Sequence, residues 1–174
     1  MSTIFIAALL LICTIGIPIL FVSLRKRNVR KRNEERLNLF RHSGAKYGLS
    51  FSRQEILHNK ITGLDEVNKT FLIYDFKNED NVILINLVKV RTCALVKNYE
   101  NINMGNDKKV KKERHLASID IIFEFRNSGD KPVSISFYDS WVDNIYELTD
   151  LESKASYWEA ILSKIAINKF GATA

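Results

Sequence analysis

The chain has 174 residues and a formal net charge of +6 at pH 7, from 26 lysines and arginines against 20 aspartates and glutamates. Six of the basic residues lie in residues 25–32, so the rest of the chain is formally neutral. This local charge argues against a nucleic-acid-binding fold, in which basic residues spread over one face, and we expect no nucleic-acid partner. The two cysteines, Cys13 and Cys93, do not make a disulfide framework, which fits a reducing compartment.

Residues 4–24 form an apolar run without a charged side chain in 21 positions. Because an α-helix rises about 1.5 Å per residue, the run spans about 30 Å, the hydrocarbon thickness of a bilayer. A cleaved signal peptide is the alternative, but the first five residues carry no basic side chain and the run exceeds an h-region. We therefore predict a single-pass transmembrane anchor over residues 1–24, with the lipid bilayer as its partner.

A basic block follows the apolar run directly. Because basic residues that flank a span stay on the cytoplasmic side, we expect the N-terminus outside and the C-terminal domain in the cytoplasm, at the cell (inner) membrane. Each basic residue near the surface also attracts anionic lipid headgroups, by about 1 kcal/mol. The candidate anionic-surface contacts in this block are Arg25, Lys26, Arg27, Arg30, Lys31 and Arg32.

Residues 25–49 are predicted as a basic juxtamembrane helix that continues out of the membrane. Apolar positions recur at helical spacing as a thin stripe, and Gly48 is a plausible C-cap. The stripe either docks on the following domain or forms a partner surface, and the sequence leaves both open. Its residues are Leu37, Phe40, Gly44 and Tyr47.

Residues 50–174 are predicted as one cytoplasmic domain that begins with strands. The apolar segments are separated by short turns, among them residues 66–69 and 78–81, and residues 100–112 are predicted as a long hairpin loop. In the strand from His115, alternate positions 119, 121, 123 and 125 are apolar, and in residues 133–138 the alternation places Tyr138 outward. This spacing predicts an antiparallel sheet of six or seven strands, curled on itself.

The chain ends in a predicted amphipathic helix. Thr149 and Glu152 have capping-box spacing, which predicts the helix start. The helix should cover one open end or side of the sheet, because its apolar face is broad. That face consists of Leu151, Ala155, Trp158, Leu162 and Ile165. The fold class is therefore α+β, an antiparallel sheet or barrel capped by a C-terminal helix.

Three sets of residues are candidates for a functional site. The first is a basic cluster that either contacts a phosphate-bearing surface or is a solvated hairpin tip: Lys108, Lys109, Lys111, Lys112 and Arg114. The second set either anchors a partner or packs in the core: Tyr138, Asp139 and Trp141. The third set either forms a general acid/base pair or simply solubilises a loop: Asp139, Asp143, Glu147 and Asp150.

Metal and cofactor chemistry has no motif in this chain. The histidines 42, 58 and 115 have no ligand spacing with one another or with Cys93. Cys93 lies in the middle of a predicted strand, where a small core residue is the simpler interpretation than a nucleophile. We predict no metal site, no catalytic residue and no cofactor.

The order of these elements resembles the pleckstrin-homology-like superfold, in which antiparallel strands precede one C-terminal helix. The stretch VILINLVKVRTCALVKN (82–98) is similar to a strand pair of bacterial pleckstrin-homology-like domains. The wider pattern, from the apolar run through ITGLDEVNKTFLIYD, IIFEF and SFYD to a Trp-bearing helix, is similar to an uncharacterised bacterial family of membrane-anchored proteins. Headgroup-binding members carry basic residues between the first two strands, and the predicted turn there, residues 66–69, has one lysine.

The resemblance implies a binding role, because the superfold hosts lipid-headgroup, phosphopeptide and protein-binding modules. We expect a non-enzymatic binding or scaffold module at the cytoplasmic face of the membrane, with a protein partner that the sequence does not identify. The alternatives are a sensor of anionic lipid headgroups and, from a different class, a small enzyme that uses the carboxylates of residues 139–150.

Overall fold

The structure is a computed structural model. It describes the backbone of residues 2–57, 59–76, 82–104 and 111–167, and the side chains of residues 17, 19–57, 59–76, 82–101 and 114–166. The chain divides into two compact units, residues 1–47 and 48–174.

The first unit is one continuous helix, α1 (Ser2–Lys46). It ends where the Tyr47 N–H donates to the Gly44 carbonyl at 3.0 Å and Gly48 takes a φ of 67°, a left-handed conformation that suits glycine after a helix. Most of the apolar run falls outside the described side chains, namely residues 4–16 and 18. In the part that is described, no helix combines the length and the apolarity that a membrane crossing requires.

The second unit contains seven strands in two antiparallel sheets. The first sheet consists of β1 (Arg53–Leu57), β2 (Lys60–Asp65), β3 (Thr70–Asp75) and β4 (Val82–Asn86), in that order. The second consists of β5 (Val90–Met104), β6 (Lys111–Phe125) and β7 (Val133–Asp139). A 3₁₀ turn (Ile145–Glu147) and α2 (Leu148–Ile167) follow. The predicted α+β class, with antiparallel strands and a C-terminal helix, is confirmed, but the strands form two sheets, not one.

The core of this unit lies between the sheets and α2. As the alternation predicted, Ile119, Ile121 and Phe123 are buried. The ring centroid of Phe71 on β3 lies 6.1 Å from that of Phe123 and 5.2 Å from that of Trp158 on α2. The predicted apolar face of α2 is confirmed at four positions that are fully or almost fully buried: Leu151, Ala155, Trp158 and Leu162.

The first hairpin corrects the predicted strand order. Leu57 pairs with Lys60, so β1 and β2 form an antiparallel hairpin. Residues 66–69 consequently join β2 to β3, and not the first two strands as we expected. From the sequence, residues 56–65 look like one strand, because the polar residues His58 and Asn59 interrupt the apolar pattern only briefly. Two residues are nevertheless enough for a hairpin connection.

The second hairpin is longer than the sequence predicted. Residues 100–104 and 111–112, which we expected in a loop, belong to β5 and β6, and Asn101 pairs with Arg114. The sequence predicted a loop there because the residues are polar. Backbone hydrogen bonds between two strands do not require apolar side chains, so exposed strands can be polar and still pair. Lys108 and Lys109 lie outside the described residues.

A β-bulge in the second sheet corrects the predicted orientation of Tyr138. Ile119 pairs with Tyr138 and Asp120 pairs with Ser136, so Phe137 has no residue opposite it. The extra residue interrupts the two-residue alternation. Phe137 and Tyr138 are therefore both buried, at 3% and 1% exposure, although the alternation predicted an outward Tyr138.

Candidate functional site

The connection between β7 and α2, residues 139–147, is a tightly hydrogen-bonded segment that we call the aromatic loop. Its first half is an Asx turn, in which Asp139 Oδ1 accepts from the Trp141 N–H at 2.9 Å. Asp143 Oδ2 accepts from the Asp139 N–H at 2.8 Å, and the Asp143 N–H donates to the Asp139 carbonyl at 2.8 Å. Together with a bond from the Ser140 N–H to the Ala117 carbonyl of β6 at 2.9 Å, these short-range bonds fix the backbone of the first half of the loop.

The second half of the aromatic loop starts the C-terminal helix. Asn144 Oδ1 accepts from the Tyr146 N–H at 3.1 Å and caps the 3₁₀ turn, which leads directly into α2 at Leu148. The predicted capping box is therefore wrong, because Thr149 already lies inside the helix. Asparagine is among the strongest N-cap residues, so Asn144 is the signal in the sequence that would have located this start.

Large apolar side chains cover the outside of this loop. Trp141 is 86% exposed and Tyr146 is 90% exposed, while Ile145 and Val142 are 53% and 40% exposed. Core packing, one of the two alternatives for these aromatic residues, is therefore wrong for Trp141. It is correct for Tyr138, which is buried. A contiguous group of exposed aromatic and aliphatic side chains indicates an interaction site more often than isolated ones do.

The aromatic loop is also acidic. Residues 139–153 contain five carboxylates and no basic residue. At the start of α2, Lys154 Nζ lies 2.9 Å from Asp150 and Lys97 Nζ lies 2.5 Å from Glu152. Within the described part of the chain, no ion pair neutralises the three carboxylates of the loop itself, which belong to Asp139, Asp143 and Glu147. The exposed aromatic residues thus share a short segment of chain with three carboxylates that have no ion pair among the described residues.

A cavity of about 180 Å³ lies beside the aromatic loop. Lys60 at its wall donates from Nζ to the Ser136 carbonyl at 3.5 Å, and Asn59 donates to Asp75 Oδ1 at 3.5 Å. Apart from Asp75, the carboxylates of Asp139 and Asp143 therefore face one ammonium group, that of Lys60, across this cavity. The lining residues are Leu57, Asn59, Lys60, Asp75, Ser136, Phe137, Asp139, Val142 and Asp143.

The ionisation of Tyr138 reflects this negative surrounding. Burial raises the pKa of the Tyr138 phenol, and the carboxylates of Asp143 and Asp139 raise it further. Each of those carboxylates uses one oxygen for a backbone N–H. Because a carboxylate offers about four acceptor positions, both can accept further hydrogen bonds from a bound group.

The described residues give little support to a cysteine nucleophile, a metal site or a general acid/base pair. Burial, and then the Glu159 carboxylate, raise the pKa of Cys93 to about 12, so the thiol carries its proton at neutral pH. In the described portion of the chain, no group of three His, Cys, Asp or Glu side chains is arranged to hold a metal ion. Asp139 and Asp143 converge on one cavity, but both hold the loop backbone.

The predicted basic block lies on α1, and its six side chains are exposed. Because successive residues of an α-helix are about 100° apart, these side chains leave no gap wider than about 100° around the axis. Arg30 Nε pairs with Glu34 Oε1 at 3.0 Å. We call residues 25–32 the basic collar, because the charge surrounds the helix and does not form a stripe along one side.

Only part of the predicted basic cluster of the second hairpin lies within the described residues. Lys111 and Lys112 belong to β6, but their side chains are outside the described residues, as are Lys108 and Lys109 entirely. The guanidinium of exposed Arg114 lies over the ring of Tyr99, 5.0 Å from its centroid. For Arg114, a structural contact across the hairpin is therefore established.

Comparisons with known proteins found no match to this chain among family models, curated proteins or solved structures. Function is therefore inferred from the residues and their geometry. The aromatic loop is the strongest candidate, because it combines exposed aromatic rings, unpaired charge and a cavity. Asp139, Trp141 and Asp143 were candidates from the sequence. Val142, Ile145 and Tyr146 were not, because their exposure depends on the turns that present them.

Proposed function

We propose that this chain is a membrane-anchored, non-enzymatic binding module, whose C-terminal domain binds a protein partner at the cytoplasmic face. One observation carries the binding role: Trp141 and Tyr146 are almost fully exposed on a loop that its own hydrogen bonds hold in one conformation. Aromatic side chains of this kind dominate the binding energy of protein interfaces.

The rigidity of the loop supports the same conclusion. A flexible loop loses conformational entropy when it binds, whereas a loop that is already ordered loses much less. The Asx turns at Asp139 and Asn144 hold the two aromatic residues in position before any partner arrives. Exposed aromatic rings are therefore presented at a small entropic cost.

The membrane anchor is supported by the sequence and by the backbone of α1. The apolar run of residues 4–24 lies within one unbroken helix that continues through the basic collar to Lys46. A surface-lying amphipathic helix would carry its basic residues on one side, whereas the collar surrounds the axis. Charge on all sides is what a helix perpendicular to the membrane needs at the level of the headgroups.

We also propose a pleckstrin-homology-like fold for residues 50–174. The support is the arrangement of four and three antiparallel strands followed by one helix. Because this superfold hosts modules with many ligands, the fold itself does not select the partner. The aromatic loop, not the fold, is the argument for protein binding.

The binding role can be tested in cells by photo-crosslinking. A photoreactive amino acid at position 141 of the full chain should form a saturable crosslink to a protein. The same amino acid at Val67, which is 90% exposed in the turn between β2 and β3, is the matched control and should not. Equal crosslinking from the two positions would contradict a binding role for the aromatic loop.

The anchor requires a separate measurement. After alkaline carbonate extraction, the full chain should stay in the membrane fraction, since a spanning helix is not released by high pH. A variant with leucines 9, 10 and 11 replaced by glutamate should be released, because each charge at the helix centre opposes insertion by about 3 kcal/mol. Recovery of the unaltered chain in the soluble fraction would overturn the proposed anchor.

A further inference from the structure

We propose that the aromatic loop binds a cationic segment of its protein partner, and that the adjacent cavity receives one arginine or lysine side chain of that segment. The inference rests on the proposed binding function and adds the chemistry of the partner. It follows from three features that meet at one place: exposed aromatic rings, carboxylates without ion pairs, and a small acidic cavity.

The charges and the rings favour the same kind of ligand. Asp139, Asp143 and Glu147 attract a positive segment, and none of them has an ion-pair partner in the described residues. The faces of Trp and Tyr rings carry negative electrostatic potential and attract guanidinium and ammonium groups. A segment that combines basic and apolar side chains therefore matches both the charge and the apolar surface of the loop.

The cavity is of a size for a single side chain. Its volume of about 180 Å³ is below the roughly 300–1,000 Å³ of pockets that hold drug-sized ligands. A guanidinium group forms paired hydrogen bonds with carboxylates, and Asp139 and Asp143 at the cavity wall have acceptor positions for it. Lys60 reduces the negative charge there but does not cancel it, since Asp139 and Asp143 together contribute two carboxylates to the wall.

The same charges disfavour direct insertion of the loop into a membrane. Exposed Trp and Tyr residues are also typical of membrane interfaces. The cytoplasmic leaflet is negatively charged, however, and it repels carboxylates as it attracts lysine and arginine. Because the loop that carries the rings also carries three carboxylates without ion pairs among the described residues, a basic protein segment is the ligand that the loop fits.

The test uses the full chain in nanodiscs of phosphatidylcholine and a short dye-labelled peptide of alternating arginine and leucine. Fluorescence anisotropy gives the dissociation constant, and peptides of alternating glutamate and leucine or serine and leucine serve as charge controls. Only the arginine peptide should bind saturably to protein-loaded nanodiscs above the level of empty ones. Binding should also protect Trp141 from acrylamide, whereas Trp158, which is 1% exposed, contributes a constant background.

Two variants test the site. D139N/D143N removes two charges but keeps an amide oxygen for each backbone N–H, and it should weaken binding about five- to tenfold. The matched control E100Q/D130N removes two exposed charges elsewhere and should stay within about twofold of the parent protein. W141A should weaken binding about thirtyfold, as loss of an interface aromatic does, while V67A should have no effect.

The outcomes separate the inference from the proposed function. If D139N/D143N binds the arginine peptide as tightly as the parent, or if the glutamate peptide binds equally well, the inference is overturned. If the partner segment crosslinked at position 141 proves acidic or is a lipid, the inference is likewise overturned, and a lipid would also contradict protein binding. A crosslink to a protein that persists unchanged in D139N/D143N would retain the binding module and reject only the cationic partner.

Discussion

A single buried carboxylate, that of Asp65, organises the turn between β2 and β3. Its oxygens accept hydrogen bonds from the Ser50 N–H, the Asn68 N–H and the Asn68 side-chain amide, each at 2.8 Å. Burial alone would raise the pKa of Asp65, but the hydrogen bonds from Asn68, Ser50 and Val67 lower the pKa below its ordinary value. In the same turn, Lys69 takes a φ of 49°, a left-handed conformation that is uncommon for lysine.

We expect Asp65→Asn to lower the free energy of unfolding by about 1–3 kcal/mol at pH 7, because an amide cannot accept from all of these donors. Since the pKa of Asp65 is lowered by folding, its stabilisation is present above about pH 4 and is lost as the pH falls through the folded pKa. The difference between parent and variant should therefore narrow in acid. Urea unfolding followed by near-ultraviolet circular dichroism from pH 7 to pH 3 measures it.

Asp130→Asn is the matched control for Asp65, because Asp130 is exposed in the turn before β7. Its free energy of unfolding should stay within about 0.5 kcal/mol of the parent value. A stability difference for Asp65→Asn that does not change with pH would show that the substitution acts through packing and not through the charge of the carboxylate.

At the same scale, the exposure of Trp141 could not be predicted from the sequence, because the type of a residue does not determine whether it is buried. Trp141 and Tyr138 belong to the same segment, and one is 86% exposed while the other is 1% exposed. A bulge turns Tyr138 inward and an Asx turn holds Trp141 outward. The spacing of Asp139 and Asn144, each two residues before an aromatic residue, is the pattern that indicates such turns.

At the scale of elements, α2 is held on the sheets by its central tryptophan. Trp158 is 1% exposed, and its ring lies 5.2 Å from that of Phe71. Among the described residues, its indole Nε1 is buried without a hydrogen-bond partner. Trp158 therefore stabilises the helix through packing, and its N–H contributes nothing favourable.

We expect Trp158→Ala to lower the free energy of unfolding by about 3–5 kcal/mol, since it leaves a large cavity in the core. Trp158→Phe should cost much less, because the ring contact with Phe71 is kept and no hydrogen bond is lost. Urea unfolding of the full chain compares the two, with Ser156→Ala on the exposed side of α2 as the control. Equal losses for Trp158→Ala and Trp158→Phe would contradict the conclusion that the ring stabilises α2 through packing against Phe71.

The elements that the sequence predicted correctly are those with one buried face. The period of 3.6 residues in α2 and of two residues in β6 left their buried positions unambiguous. Prediction failed where that signal is weak: the β1–β2 hairpin, and the outer half of the β5–β6 hairpin, where Tyr99 and Arg114 are exposed. Such strands exist because of backbone pairing, which side-chain patterns do not reveal.

At the scale of the whole molecule, the proposed membrane anchor implies that the basic collar determines the orientation of the chain in the membrane. Six basic residues lie directly after the apolar run, while residues 1–24 contain none. Because basic residues near a span resist translocation, the collar should keep the C-terminal domain in the cytoplasm. Acidic residues contribute little to this effect, so removing Glu34 and Glu35 should not change the orientation.

We expect that replacing all six basic residues of the collar with glutamine, and adding three lysines before Ile4, inverts the chain in a large fraction of molecules. The reporter is Val67→Cys, at a position 90% exposed, in a chain whose native cysteines are replaced with serine. A membrane-impermeant maleimide should label the parent reporter only after permeabilisation and the collar variant in intact cells. The matched control E34Q/E35Q should behave as the parent. Labelling of the parent reporter in intact cells would place the C-terminal domain outside the cell. The collar would then not be the signal that keeps this domain in the cytoplasm.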